Sequence, residues 1–192
     1  MDRCFPSFIW RKDTDRPVVH LTFDDGPSES TPELLSILER GGQKATFFLL
    51  GKQVEKYPGI IDTIKEAGHS VGIHGFDHLN AWKTPRAEFM TDFDHALEMI
   101  PAALYRPPYG RFRTWMKRMM PVGMELVMWS RSPGDYVARR TSEEIADRAV
   151  ESIQPGEIIV LHDNDRHHPK SLQALEMIMS ELKAKGLHSE AL

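Results

Sequence analysis

Cysteine is nearly absent from this sequence, with Cys4 the single example among 192 residues. An internal disulfide is excluded, and so is a metal site built from several thiolates. Any metal must then be held by His, Asp or Glu. No apolar run approaches the roughly 20 residues of a membrane span, so no integral membrane segment is expected. Net charge is only −4, which gives a nucleic-acid partner no electrostatic support. No Gly-x-Gly-x-x-Gly follows a strand-like run, so nucleotide binding lacks its signature. Internal repeats, low-complexity tracts and linkers are missing too. What is present is 41% apolar and 27% charged, enough for one globular domain with its own core.

The apolar stretch from Cys4 to Trp10 is too short for a signal h-region, and Pro6 breaks it. It reads as a hydrophobic strap. Residues 1–16 are therefore assigned to an N-terminal arm and 17–192 to a single domain. As it stands the chain reads as cytoplasmic; a cell-envelope location follows if the N-terminus has been trimmed. No protein partner is readable.

Strand-like and helix-like segments alternate along the chain. The strands are placed at 17–24, 44–50, 70–73, 103–106, 124–130, 157–162 and 187–191. They are short apolar runs, as expected of strands covered on both faces. Thr31-Pro32-Glu33 opens a helix that Gly41 closes. A second helix spans 52–67 and breaks at Pro58, and a third runs from Thr84-Pro85 to about Ile100. A short one covers 112–120. Thr141-Ser142-Glu143-Glu144 is a capping box, and the last helix spans 170–185. Such alternation argues an α/β fold, a distorted (β/α) barrel with about seven parallel strands. An open doubly wound sheet is the alternative.

The chemistry-bearing residues follow the strands. Asp24 and Asp25 end the first, and two adjacent carboxylates are costly to bury without a cation or a shared proton. His74 and His78 follow the third strand, spaced to present two imidazoles to one ion. Arg106-Pro107-Pro108-Tyr109-Gly110, Asp135-Tyr136 and Leu161-His162-Asp163 follow later strands. In a parallel β/α fold those ends share one face. Two His and one carboxylate leave a position open for water or substrate, the form of a catalytic site. The polar loop from Asp163 to Lys170 reads as solvated, with a polar lip over substrate as the rival reading. The ten methionines read as core filling.

In the order Thr22–Pro27, Gly68–His74 with His78, Arg106–Gly110, Trp129 with Asp135-Tyr136, and Leu161-His162-Asp163, the chain resembles the polysaccharide deacetylases. These are the chitooligosaccharide and peptidoglycan N-deacetylases of carbohydrate esterase family four. The resemblance covers nearly the whole chain from Val18 onward. It implies a distorted barrel with fewer than eight regular repeats, and a metal-dependent hydrolase removing N-acetyl groups from amino sugars of a carbohydrate substrate. Asp25, His74 and His78 would hold a divalent metal, usually zinc, with cobalt or manganese sometimes preferred. Asp24 would be the base that deprotonates the metal-bound water, kept ionised by Arg106. Tyr109 would offer a backbone N–H to the oxyanion, and His162 would be the acid. Asp135 would support the charge network. Leu161, with Tyr136, would line the pocket for the acetyl methyl.

Two departures bear on function. Gly75 stands where the family commonly carries a Ser or Thr that braces the ligand loop, so altered metal affinity is expected. Ser132 to Tyr136 replaces Asp-x-x-Asp-Trp, which alters the groove. Those changes keep two rivals open: a non-catalytic carbohydrate-binding pseudoenzyme, and a deacylase for a non-sugar N-acyl compound.

Overall fold

The computed structural model describes residues 8–164 and 168–192, without the side chain of His168. Its strands are β1 (Phe8–Ile9), β2 (Val18–Asp24), β3 (Ala45–Leu49), β4 (Ser70–Ile73), β5 (Leu104–Tyr105), β6 (Glu125–Val127), β7 (Ile158–His162) and β8 (His188–Ser189). All named pairings are parallel, and seven strands follow the order β1-β6-β5-β4-β3-β2-β7, with β8 beside β2. The sheet curls until its ends meet. Ser130 and Arg131, just past β6, both donate N–H bonds to Ile158 O at 3.1 Å, and Val160 N–H returns to Arg131 O at 3.0 Å. The distorted barrel is thus the observed fold, and the open doubly wound alternative is not.

Pleating divides the strands between two apolar clusters. Side chains alternate across a strand, so Leu21, Phe23, Phe47, Leu49, Ile159 and Leu161 face outward into the large core beneath the helices. Phe48, Val127 and Ile158 form a small second cluster, on the alternate face of the same strands and hence inside the barrel. Thr22 and Asp24 share that inner face. Each large apolar side chain so covered contributes about 1.5–3 kcal/mol, and the outer cluster contains most of them. Met116, Met120, Met124, Met128 and Met179 are buried, in keeping with core filling.

The helices are α1 (Thr31–Arg40), α2 (Gly51–Lys56), α3 (Ile60–Glu66), α4 (Arg86–Met99), α5 (Met116–Met119), α6 (Ser142–Val150) and α7 (His168–Ala184). The break at Pro58 separates α2 from α3, because proline removes a helix donor and restricts its predecessor. The capping box of α6 forms in full, with Glu144 N–H donating to Thr141 Oγ1 at 3.2 Å and Thr141 N–H to Glu144 Oε2 at 3.0 Å. Helix 112–120 shrinks to the four residues of α5, ahead of the helix-stopping Pro121. The strap contributes more than cover: Phe8 and Ile9 pair with Leu126 and Val127 as β1. No helix among the described residues is long and apolar enough to cross a membrane.

Candidate active site

β2 places Asp24 on the barrel's inner face and Asp25 at its rim. Asp24 is 3% exposed, and Arg106, which follows β5, is fully buried beside it. Arg106 Nη1 donates to Asp24 Oδ1 at 2.6 Å and to Thr22 Oγ1 at 2.7 Å. Its remaining donors reach Met128 O at 2.9 Å and Val127 O at 3.3 Å. The guanidinium also lies 4.1 Å from the Phe48 ring centroid. A buried cation needs a counter-charge and filled donors, and this one has both.

Asp25 turns away from its neighbour because its backbone adopts φ +76. His78 and Tyr109 also sit at φ +60, a region costly for residues with a Cβ. Three such positions converge on one rim. Asp25 Oδ1 lies 3.6 Å from His74 Nε2 and 3.3 Å from His78 Nε2. The three ligand atoms lie within 4.8 Å of one another. His74 Nδ1 is 2.7 Å from Arg106 O. A carbonyl only accepts, so Nδ1 carries the proton and Nε2 keeps its lone pair. Burial first, then the neighbouring His78, holds the His74 pKa down to about 3. Burial also lowers that of His78, despite the opposing charge of Asp25. Both imidazoles are therefore held neutral, as ligands must be.

These residues fit a divalent metal. Among the described residues, buried Asp25 Oδ1 has no hydrogen-bond partner, although buried carboxylate oxygens rarely stay unpartnered. Tetrahedral ligands at about 2.1 Å from an ion stand about 3.4 Å apart, close to both Asp25–His separations. Asp25 Oδ2 instead accepts from Asn164 Nδ2 at 3.2 Å.

His162 follows the same strand logic. It is the register partner of Asp24 across β2 and β7, but its ring is drawn to a different group. His162 Nδ1 lies 2.8 Å from Asp135 Oδ1, and its backbone N–H donates to Asp135 Oδ2 at 2.7 Å. Burial alone would lower the His162 pKa. The hydrogen bond and charge of fully buried Asp135, with Asp24 and Asp25 behind it, outweigh burial and raise it from 6.5 to about 9. The folded-state value lies above the unfolded one, so the pair stabilises the fold fully below about pH 6.5. That stability is lost as pH rises through about 9. Urea midpoints of wild type and Asp135→Asn should therefore differ most in acid and converge in alkali. A gap independent of pH would contradict the assignment.

The site opens into a cleft of about 810 Å³ lined by Asp24, Asp25, His74, His78, Tyr109, Tyr136 and His162, among others. Leu161 is not among them. It points outward into the core at 1% exposure, while Val160 and Trp129 line the cleft. Strand alternation is the reason: residues 160 and 162 share a face and 161 opposes them. The wall expected at Leu161 is therefore built by Val160. Of the 163–170 loop, residues 165–167 lie outside the described residues. Asp163 is not solvated but 2% exposed. It accepts from Ser28 Oγ and Thr31 Oγ1, each at 2.6 Å, and so ties the turn after Asp25 to β7. A Cβ at Gly26 would come within 2.5 Å of Asp163 Oδ2, so only glycine fits that turn.

The brace of the ligand loop comes from a residue that no sequence motif flagged. Asp92, on α4, accepts from Phe76 N–H at 2.9 Å and Asp77 N–H at 2.7 Å. Gly75 adopts φ +87, and a Cβ there would meet Asp92 Oδ2 at 3.0 Å. The Asp92 carboxylate thus occupies the space that a side chain at position 75 would need. Loss of such outer contacts typically weakens metal binding 10- to 100-fold. Asp92→Ala should weaken zinc binding by about tenfold in a chelator competition titration. An unchanged affinity would remove the bracing role.

A curled parallel barrel carrying an Asp-His-His cluster, a buried Asp–Arg pair and a His–Asp pair at its strand ends defines a hydrolase of the metal-using kind. The chain belongs to the polysaccharide deacetylase family, whose model matches residues 11–126. It is 29% identical over 186 residues to a peptidoglycan-N-acetylglucosamine deacetylase of Bacillus cereus, covering 92% of this chain and 87% of that protein. It is 30% identical over 188 residues to a chitooligosaccharide deacetylase of Azorhizobium caulinodans, covering 88% and 89%. Among solved structures, a peptidoglycan N-acetylglucosamine deacetylase bound to 4-naphthalen-1-yl-N-oxidanyl-benzamide superposes with TM-score 0.90. It is 31% identical, with 97% of this chain and 91% of that chain covered.

Proposed function

We propose that this protein hydrolyses the N-acetyl group of amino-sugar residues in a polysaccharide or oligosaccharide, releasing acetate and leaving a free amine. The observation that carries the reading is the pairing of Asp24 with Arg106 and of His162 with Asp135 around the Asp25-His74-His78 cluster. Asp25, His74 and His78 would hold the metal, and their N₂O donor set suits zinc, with cobalt or manganese as substitutes. When bound, such an ion supplies Lewis acidity toward water and the amide oxygen.

The chain's own groups supply the proton transfers. Asp24 accepts a proton from the attacking water, and Arg106 fixes the carboxylate that takes it. The water oxygen bonds to the amide carbon and the carbon–nitrogen bond breaks. His162 donates its proton to the leaving nitrogen, and a pKa of about 9 keeps that proton available at neutral pH. Tyr109 N–H is assigned to the developing oxyanion, where a preorganised donor is worth about 3–4 kcal/mol. Val160 and Tyr136 are assigned to the acetyl methyl. Against a pseudoenzyme reading stands the presence of Asp24, His162, Asp25, His74 and His78, the residues proposed as base, acid and ligands.

The test is acetate release from a panel of N-acetylated oligosaccharides and small N-acyl compounds, with zinc, cobalt or manganese restored after chelation. Release from amino sugars alone is expected. Turnover only of non-sugar amides, or oligosaccharide binding without acetate release by metal-loaded protein, would overturn the proposal.

A further inference from the structure

Arg111 is the single lysine or arginine among the described residues lining the cleft. Its guanidinium carbon lies 4.0 Å from the centroid of the Trp82 ring. Trp82 is itself held: its Nε1–H donates to Phe112 O at 3.0 Å, and its backbone N–H donates to Asn80 Oδ1 at 2.9 Å. The neighbouring Arg113 spends its donors on the same loop, reaching Ala81 O at 3.2 Å and Trp82 O at 3.1 Å. One arginine therefore clamps the loop that follows His78 to the loop that follows Tyr109. The other is stacked on the clamped indole; its backbone N–H donates to Pro108 O at 3.0 Å, but its guanidinium has no ion pair or hydrogen bond among the described residues.

An arginine stacked on a fixed ring has given up much of the side-chain freedom that usually opposes surface ion pairing. Its planar fork matches a carboxylate through two parallel hydrogen bonds. The carboxylates at the centre of the cleft do not neutralise it: Asp24 is committed to Arg106, and Asp25 belongs to the ligand cluster. The result is one oriented guanidinium in the cleft lining that neither central carboxylate pairs with.

We infer that Arg111, set on Trp82, binds a carboxylate on a sugar residue next to the N-acetylated one, so that the preferred substrate is an acidic glycan. The inference rests on the deacetylase reading and names its substrate class. A lactyl ether and a uronic acid offer the same carboxylate chemistry.

The test separates the two readings by measuring binding apart from turnover. Three oligosaccharides of equal length are titrated calorimetrically into wild type, Arg111→Gln and Arg111→Lys. One is neutral and fully N-acetylated, one carries lactyl carboxylates, and one alternates N-acetylated and uronic residues. Wild type should favour an acidic ligand over the neutral one, and salt should erode that preference. In Arg111→Gln the preference should fall by about tenfold, and Arg111→Lys should recover part of it. Preference for the lactyl or the uronic ligand identifies the source of the carboxylate. An acidic-to-neutral ratio equal in wild type and Arg111→Gln overturns the inference, whether or not acetate is released. A preserved preference without acetate release from any of the three overturns the deacetylase reading alone.

Discussion

Asp24→Asn should lower acetate release by about 10²- to 10⁴-fold, the usual range for a general base, in a protein that still folds and still takes up metal. Asparagine matches aspartate in shape. Its carbonyl can still accept from Arg106 Nη1, which now bonds Asp24 Oδ1 at 2.6 Å. It cannot accept a proton from water. The substitution also spares Asp25, His74 and His78, so zinc content should stay at one equivalent by elemental analysis. Full acetate release would move the base elsewhere. Loss of zinc together with activity would instead place Asp24 among the ligands, an arrangement for which His74 Nε2 at 3.8 Å from Asp24 Oδ2 leaves room.

Arg106→Met should cost about 3–5 kcal/mol of stability, because removing one partner of a buried ion pair strands the other charge. Asp24 would be left at 3% exposure without its cation. The carbonyls of Val127 and Met128 would lose donors as well. Methionine fills similar volume and avoids a large cavity, so the loss reports charge and hydrogen bonding more than packing. Urea unfolding measures it. Adding Asp24→Asn should return part of the loss, since a neutral amide is cheaper to bury than a lone carboxylate. A double variant no more stable than Arg106→Met would show that the Asp24 charge is not what Arg106 balances.

The sequence was most legible where chemistry and chain punctuation coincide. Asp24-Asp25 at the end of an apolar run, His74 and His78 four residues apart, and Arg106 before two prolines each mark a strand end. Their meeting follows from parallel strands sharing one rim. The capping box at Thr141 is legible for a related reason, since both its bonds join residues three apart. The fully covered strand β2 could be read from an apolar run interrupted only by His20 and Thr22 before Asp24.

What escaped depended on facing and on distance. Leu161 and Val160 are both aliphatic, so only the pleat decides which reaches the cleft. His162, fixed as inward, could have supplied that phase and pointed to Val160. Asp92 carries no signal because the groups it holds are backbone N–H donors sixteen and fifteen residues earlier. The arm read as a strap because two residues are too few to show alternation, yet Phe8 and Ile9 find partners in β6. Arg111 and Trp82 belong to no motif, and their stacking depends on two loops that the sequence separates by about thirty residues.

The Asp-His-His cluster has a consequence for the fate of the chain inside a cell. Asp25 leaves β2 and His74 leaves β4, with β3 between them, so the three ligands converge only when the barrel is assembled. An unfolded chain offers the same side chains scattered and binds metal weakly. Mass action then favours the native form by about 2.7 kcal/mol at a free metal concentration of 100 times the dissociation constant. If the cluster holds its proposed metal, metal supply becomes a quality-control signal. Starved chains spend more time open to proteases, and the steady amount of this protein should track the metal available to it as closely as its activity does.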